Sequence, residues 1–175
     1  MAKKKVTRII KLQLPAGKAT PTISTQASAG GPVGTSLTDT ATVAGGAGPT
    51  GTVTFRLFSD ANCTVQVFTS TNALAGGTAT SGSFAPASPG TYRWTAVYNG
   101  DANNNPATLA CTAPNQSVTI TRASPVMSAQ ASAGGLLGAP VRDVATLSGG
   151  SKPTGTVTFR LFSDNTCTTQ VFTST

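Results

Sequence analysis

The chain has no histidine and no glutamate among its 175 residues, and only 10% of them are charged. Without histidine, the commonest general base, the commonest zinc ligand and the side chain that titrates near neutrality are missing together. Five aspartates and three cysteines are the acids and thiols that remain for chemistry. The composition speaks against an enzyme, and no catalytic residue, metal ligand or cofactor is expected. Long apolar runs are absent as well. No window holds the roughly 18 consecutive apolar residues of a transmembrane helix, because Gly, Ser and Thr interrupt every apolar stretch. No membrane span is expected.

What the chain has in abundance is small hydroxyl side chains, 31 Thr and 16 Ser, together with 19 Gly and 11 Pro. A Thr-rich, Glu-free composition favours strands joined by Gly/Pro turns over helices. The net charge of +7 resembles a nucleic-acid signal until it is mapped. Lys3, Lys4, Lys5, Arg8, Lys11 and Lys18 lie in the first 18 residues with no acid among them. The other 157 residues carry six basic side chains against five aspartates, so the basic character belongs to the tail.

An internal repeat dominates the organisation. Residues 21–71 align without a gap with 125–175, and 34 of the 51 positions are identical. The longest shared run is Pro49 to Asp60, repeated as Pro153 to Asp164. Residues 72–124 have no counterpart, so the second copy reads as half a domain. In the first copy, alternating segments predict strands at Ile23–Ala29, Leu37–Val43, Thr52–Phe58, Val65–Ser70, Thr78–Phe84, Thr91–Tyr98 and Gln116–Thr121. Seven strands in about a hundred residues match an immunoglobulin-like sandwich. Val53, Phe55 and Leu57 on the third strand, and Tyr92, Trp94, Ala96 and Tyr98 on the sixth, are the expected core faces.

The segments Pro49-Thr50-Gly51-Thr52-Val53-Thr54-Phe55 and Gly90-Thr91-Tyr92, the latter leading to Ala96-Val97-Tyr98-Asn99-Gly100-Asp101, carry a family resemblance. Over residues 19–175 the chain resembles the bacterial immunoglobulin-like repeats of large extracellular and cell-surface proteins. The resemblance implies a rod-like spacer or adhesive module without catalysis, whose partners are neighbouring repeats or surface ligands. Tyr92 suits a tyrosine corner, its hydroxyl returned to the backbone. With an extracellular parent, Cys63 and Cys111 are expected to form a disulfide, while Cys167 repeats Cys63 in a copy that has no partner for it. Free buried thiols are the alternative.

Residues 1–21 resemble another family. Met1-Ala2-Lys3-Lys4, followed by Ile10-Lys11-Leu12-Gln13-Leu14-Pro15-Ala16-Gly17-Lys18-Ala19-Thr20-Pro21, is similar to the N-terminus of the large-subunit ribosomal protein eleven family. That resemblance implies ribosomal RNA as an alternative partner, contacted by Lys3, Lys4, Lys5, Arg8, Lys11 and Lys18. With no aromatic residue among these cations, weak non-specific nucleic-acid binding is the expectation otherwise. The tail does not read as an export signal, since Lys11 and Gln13 interrupt its apolar run. A cytoplasmic location is therefore expected for this chain as it stands, against an extracellular one for the parent repeat.

Other candidates are weaker. Asp101 to Asn105 places oxygens as a calcium loop begins, but Pro106 stands where the turn glycine should be and Thr112 where a bidentate Glu should be. An Asn/Asp-rich turn is the better reading. Ala16-Gly17-Lys18-Ala19 lacks the flanking residues of a phosphate loop. Asn62-Cys63-Thr64 and Asn115-Gln116-Ser117 fit a glycosylation sequon, a frequent coincidence in a chain so rich in Ser and Thr. The expectation is thus an all-β, immunoglobulin-like β-sandwich. It comprises a basic tail at 1–18, one complete repeat at 19–122 and a truncated second repeat at 123–175.

Overall fold

The computed structural model describes residues 17–175. Regular structure among them is all strand, with no helix. Residues 22–121 contain nine strands. They are β1 (Thr22–Ala27), β2 (Gly31–Pro32), β3 (Asp39–Ala44), β4 (Thr52–Phe58), β5 (Gln66–Ala73), β6 (Thr78–Thr80), β7 (Gly90–Tyr98), β8 (Ala107–Leu109) and β9 (Ser117–Thr121). One sheet has the order β1-β3-β6, the other β2-β9-β7-β4-β5 with β8 also on β7. The seven expected strands are present as β1, β3, β4, β5, β6, β7 and β9. Strands β2 and β8 are too short to show a period and are legible only from their pairing.

Side-chain alternation drives this arrangement. Along β4, Val53, Phe55 and Leu57 are buried; along β7, Tyr92, Trp94, Ala96 and Tyr98 are. The antiparallel register sets Val53 opposite Tyr98, Phe55 opposite Ala96 and Leu57 opposite Trp94, so one face of this pair is a continuous apolar surface. From the other sheet, Ala27, Ala41, Val43 and Ala79 close over it, and both sheets share a single core. Burial of Phe55 or Leu57 is worth about 1.5–3 kcal/mol each. Phe68 from β5 stands edge-on to Trp94, ring centroids 6.0 Å apart, and caps one end of the core. Strand β6 ends at Thr80 rather than Phe84. Just beyond it, a Cβ on Gly82 would lie 3.1 Å from the Phe68 ring, and Phe84 instead makes an isolated bridge to Leu37.

Residues 126–174 form two separate antiparallel pairs. These are β10 (Val126–Ala131) with β11 (Asp143–Ser148), and β12 (Phe159–Phe162) with β13 (Gln170–Ser174). Neither pair joins the sheets of residues 22–121. Residues that match buried or half-buried positions of the first copy are more exposed here. Leu57 is fully buried whereas its counterpart Leu161 is 42% exposed, and Phe172, the counterpart of Phe68, is 57% exposed. Between the pairs runs an open groove lined by Val144, Phe159, Leu161 and Phe172.

Limited proteolysis of the full chain checks this asymmetry. Residues 123–175 are expected to be trimmed first, leaving a resistant core close to 19–122. Equal protection of both segments would contradict the exposure seen here.

Candidate functional site

Three polar constellations stand out from the apolar core. The first is the joint between the loop that opens β4 and the loop that follows β7. Asp101 Oδ2 accepts from the Thr50 N–H at 2.7 Å, the Thr50 hydroxyl at 2.9 Å and the Tyr98 hydroxyl at 3.0 Å. Its Oδ1 accepts from the Asn103 and Asn104 N–H groups, both at 2.8 Å, while Asn104 Nδ2 reaches both oxygens at 2.9 Å. These donors, Thr50 N–H foremost, hold the Asp101 carboxyl well below the ordinary carboxylate range. Burial, and then Asp101 itself, raise the Tyr98 phenol. The loops also touch backbone to backbone, since a Cβ on Gly51 (φ +91°) would lie 2.8 Å from the Gly100 carbonyl. Protein N–H and O–H groups thus saturate the Asp101 carboxylate at the head of the Asp/Asn run that begins like a calcium loop.

Lys18 belongs to the same neighbourhood. Its Nζ donates to the Asp101 carbonyl at 2.7 Å, and Ala19 exchanges backbone hydrogen bonds with Asn103 and Asn105. The other tail cations, Lys3, Lys4, Lys5, Arg8 and Lys11, lie outside the described residues.

The second constellation is the disulfide. The structure brings Cys63 and Cys111 together as a bonded pair, Cα atoms 6.1 Å apart and 48 residues apart in sequence, and leaves Cys167 free and exposed. A tight loop positions Cys63: Asp60 accepts the N–H groups of Asn62, Thr64 and Val65. That loop gives Cys63 a positive φ of 53°. These donors, Val65 first, lower the Asp60 carboxyl. In the repeat, Asp164 organises an equivalent loop through Thr166, Thr168 and Thr169, and Cys167 has φ 52°.

The third was missed at the level of sequence. Thr25 on β1, Asp39 on β3 and Gln116 just before β9 are all buried. The β1/β3 register pairs Thr25 with Ala41 and Ala27 with Asp39, so Thr25 and Asp39 are diagonal neighbours on the inward face. Gln116 Nε2 donates to Thr25 Oγ1. Neither Asp39 carboxyl oxygen nor Gln116 Oε1 has a partner of hydrogen-bond geometry. Desolvation pushes the Asp39 carboxyl up to about 6, although the nearby Thr25 hydroxyl and Thr40 N–H offset part of that rise. The signal was there to be read, because Asp39 shares the alternating inward face of Ala41 and Val43.

Among the described residues no group of three or more Cys and Asp side chains could hold a metal ion, and no helix is long and apolar enough to cross a membrane. Comparison with protein-family models, with curated proteins and with solved structures finds no match to this chain.

Two outcomes follow from these sites. Thiol titration of the denatured, unreduced protein should find one reactive cysteine, Cys167, and three after reduction. Closing a loop of this size stabilises the first copy by about 4 kcal/mol in the chain-entropy model; three free thiols before reduction would remove the pair. The second outcome concerns pH. Asp39 binds its proton more tightly folded than unfolded, where its pKa is about 4. Its contribution is therefore greatest below about pH 4 and is lost as pH rises through the folded value of about 6. The loss is on the order of 3 kcal/mol. Asp60 and Asp101 act oppositely, stabilising above about pH 4 and failing below it. Denaturation midpoints measured from pH 5 to pH 7 should fall for the wild type and stay level for Asp39→Asn. Parallel curves for the two proteins would show that Asp39 is not the titrating group.

Proposed function

We propose that this chain is a non-enzymatic, immunoglobulin-like repeat module of a bacterial surface protein, with a mechanical or adhesive role. The β1-β3-β6 sheet facing the β2-β9-β7-β4-β5 sheet supports that reading, because it follows the order of an immunoglobulin-like sandwich. The Tyr92 hydroxyl, returned to the Ser88 carbonyl at 2.9 Å, supports it too.

One observation carries the mechanical part. Strand β2, near the start of the sandwich, pairs parallel with β9 at its end, Gly31 with Ile120 and Pro32 with Thr121. The Val33 N–H continues the ladder to the Thr121 carbonyl at 2.9 Å. Tension on the two ends of the segment pulls parallel strands past each other along their axes. The bonds between them then bear load together in shear, instead of opening one at a time. That geometry suits a module that transmits tension along a chain. The disulfide adds a second restraint, since it locks the residues between Cys63 and Cys111 against extension.

Pulling the full chain by its ends in a single-molecule apparatus tests the reading. Residues 123–175 should extend at low force, and the sandwich at 19–122 should hold until a distinctly higher one. A sandwich that extends together with 123–175, or before it, would refute the mechanical role. The ribosomal alternative is read separately, from RNA binding across a salt series. Selective binding of one ribosomal RNA segment at physiological salt, lost when residues 1–21 are removed, would replace the present proposal. Binding that fades steeply with salt regardless of RNA sequence is the expected result.

A further inference from the structure

Within these 175 residues the segment 21–71 has a near copy at 125–175, 34 of 51 positions being identical, whereas 72–124 occurs once. The apolar residues of β4 that lie beside β7 are kept. Val53, Phe55 and Leu57 stand opposite Tyr98, Ala96 and Trp94, and Val157, Phe159 and Leu161 repeat them. Phe68 packs on Phe84 and Trp94, both from the unrepeated segment, and Phe172 repeats Phe68. The open groove along Phe159, Leu161 and Phe172 is therefore the face that residues 72–124 cover in the first copy. The loop that carries Cys63 is kept as well: Asp164 gathers the Thr166, Thr168 and Thr169 N–H groups, and Cys167 has φ 52° against 53° for Cys63.

We propose that this groove is a docking site for a second copy of the chain, which lends it residues 72–124 by strand exchange and so links the two molecules. Strand β7 of the lending copy pairs along β12 in the register of the first repeat, with Trp94 opposite Leu161 and Ala96 opposite Phe159. Cys111 of the lending copy then comes to Cys167. The Cys167 thiolate attacks the Cys111 sulfur of the Cys63–Cys111 disulfide. A Cys111–Cys167 bond forms, the old bond breaks, and Cys63 leaves as a thiolate that takes up the proton Cys167 gave. One thiol and one disulfide become another thiol and another disulfide, with no net oxidation.

The partner is a second copy because the chain's own 72–124 cannot reach. Strand β9 ends beside the Gly90 end of β7, Ile120 opposite Gly90, while the chain enters β1 from the other end, where Ala19 bridges Asn104. The nine residues of β7 separate these ends, a length of about 26 Å. Residues 122–125, the link from β9 to β10, span at most about 18 Å. In trans no such limit applies, and the edge of β12 is unpaired on the side where β7 would lie.

Exchange conserves the number of complete sandwiches, because each 72–124 segment is always covered by one partner. Concentration therefore decides. Residues 21–71, joined to 72–124 in the same chain, compete at a roughly millimolar effective concentration, so below it the linked species grow in proportion to total protein. The exchange does not depend on the mechanical reading, which stands or falls on the pulling experiment.

In the test, equal amounts of unlabelled and heavy-isotope-labelled full-length chain are mixed, reduced, unfolded and refolded over a tenfold range of concentration. A glutathione redox buffer, whose oxidised form takes the thiol electrons, lets disulfides form and exchange. After free thiols are blocked, trypsin leaves Cys63 in peptide 57–93, Cys111 in 94–122 and Cys167 in 161–175. Species eluting ahead of the monomer on size exclusion should contain 94–122 joined to 161–175, with half of these pairs carrying one labelled and one unlabelled peptide. Their yield relative to the 57–93 and 94–122 pair should rise tenfold across the range. Same-label pairs alone, or no such pair at any concentration, would overturn the proposal. So would joining of 161–175 to 57–93 as readily as to 94–122, the mark of unguided thiol exchange. Cys167→Ser should still give the larger species, without the cross-link. Leu161→Asp, which leaves residues 19–122 unaltered, should give neither, and assembly at wild-type yield would remove the groove from the contact.

Discussion

Strand β7 lies beside β4 in the larger sheet, and most of the structure depends on that contact. It pairs with β4 along six residues, with β8 at one end and with β9 at the other, and it sends Tyr92, Trp94, Ala96 and Tyr98 into the core. The chain contains its own control for this dependence. Twelve consecutive residues of β4 and its flanks, Pro49 to Asp60, recur unchanged as Pro153 to Asp164. Beside β7 the sequence forms a strand from Thr52 to Phe58 with three buried apolar side chains. In the repeat, where no strand takes the place of β7, it forms one only from Phe159 to Phe162, with Leu161 open to solvent. Intrinsic strand propensity is identical in the two places, so the difference in length and burial is tertiary.

The Asp101 joint explains where the repeated strand is lost. Its missing residues lie at the Pro-Thr-Gly end, where Thr50 in the first copy donates twice to Asp101 and the Asn99 amide bonds the Thr52 and Thr54 hydroxyls. Thr154 and Gly155 are present in the repeat, but nothing among the described residues takes the place of Asn99, Gly100 and Asp101. The two halves of the sequence pattern, Pro-Thr-Gly and Asn-Gly-Asp, are thus two sides of a single hydrogen-bonded joint that registers β4 on β7. Lys18 and Ala19 dock onto the same joint.

How much of this was legible depended on periodicity. The inward faces of β4 and β7 alternate cleanly, and all nine strands but β2 and β8 could be read. Those two span two and three residues, too few to display a period of two, and exist because β9 and β7 offer them unpaired edges. Asp101 was visible as a polar turn; its saturation by Thr50, Tyr98 and Asn104 was not, because Thr50 is 51 residues away. The Thr25, Asp39 and Gln116 cluster was hidden for a related reason. The inward face of Asp39 was legible from its alternation with Ala41 and Val43, but its meeting with Thr25 and Gln116 arises only when β1, β3 and the start of β9 come together across the two sheets.

These long-range polar contacts are distributed unevenly, and their placement bears on how the sandwich resists unfolding. The apolar core is modest: Trp94, Tyr98, Phe55, Leu37 and Leu57 supply most of its large, fully buried side chains. Hydrophobic contacts are non-directional and yield gradually. The directional restraints sit elsewhere, at the ends of the segment and the loops beside them. The β2–β9 ladder and the Thr25–Gln116 contact tie its first strands to its last, Asp101 fastens the turn before β4, and the disulfide closes the opposite turn onto Cys111. Each restraint spans at least 48 residues of sequence, so each closes a long loop, and each adds a directional cost to separating strands that the core holds by non-directional contacts.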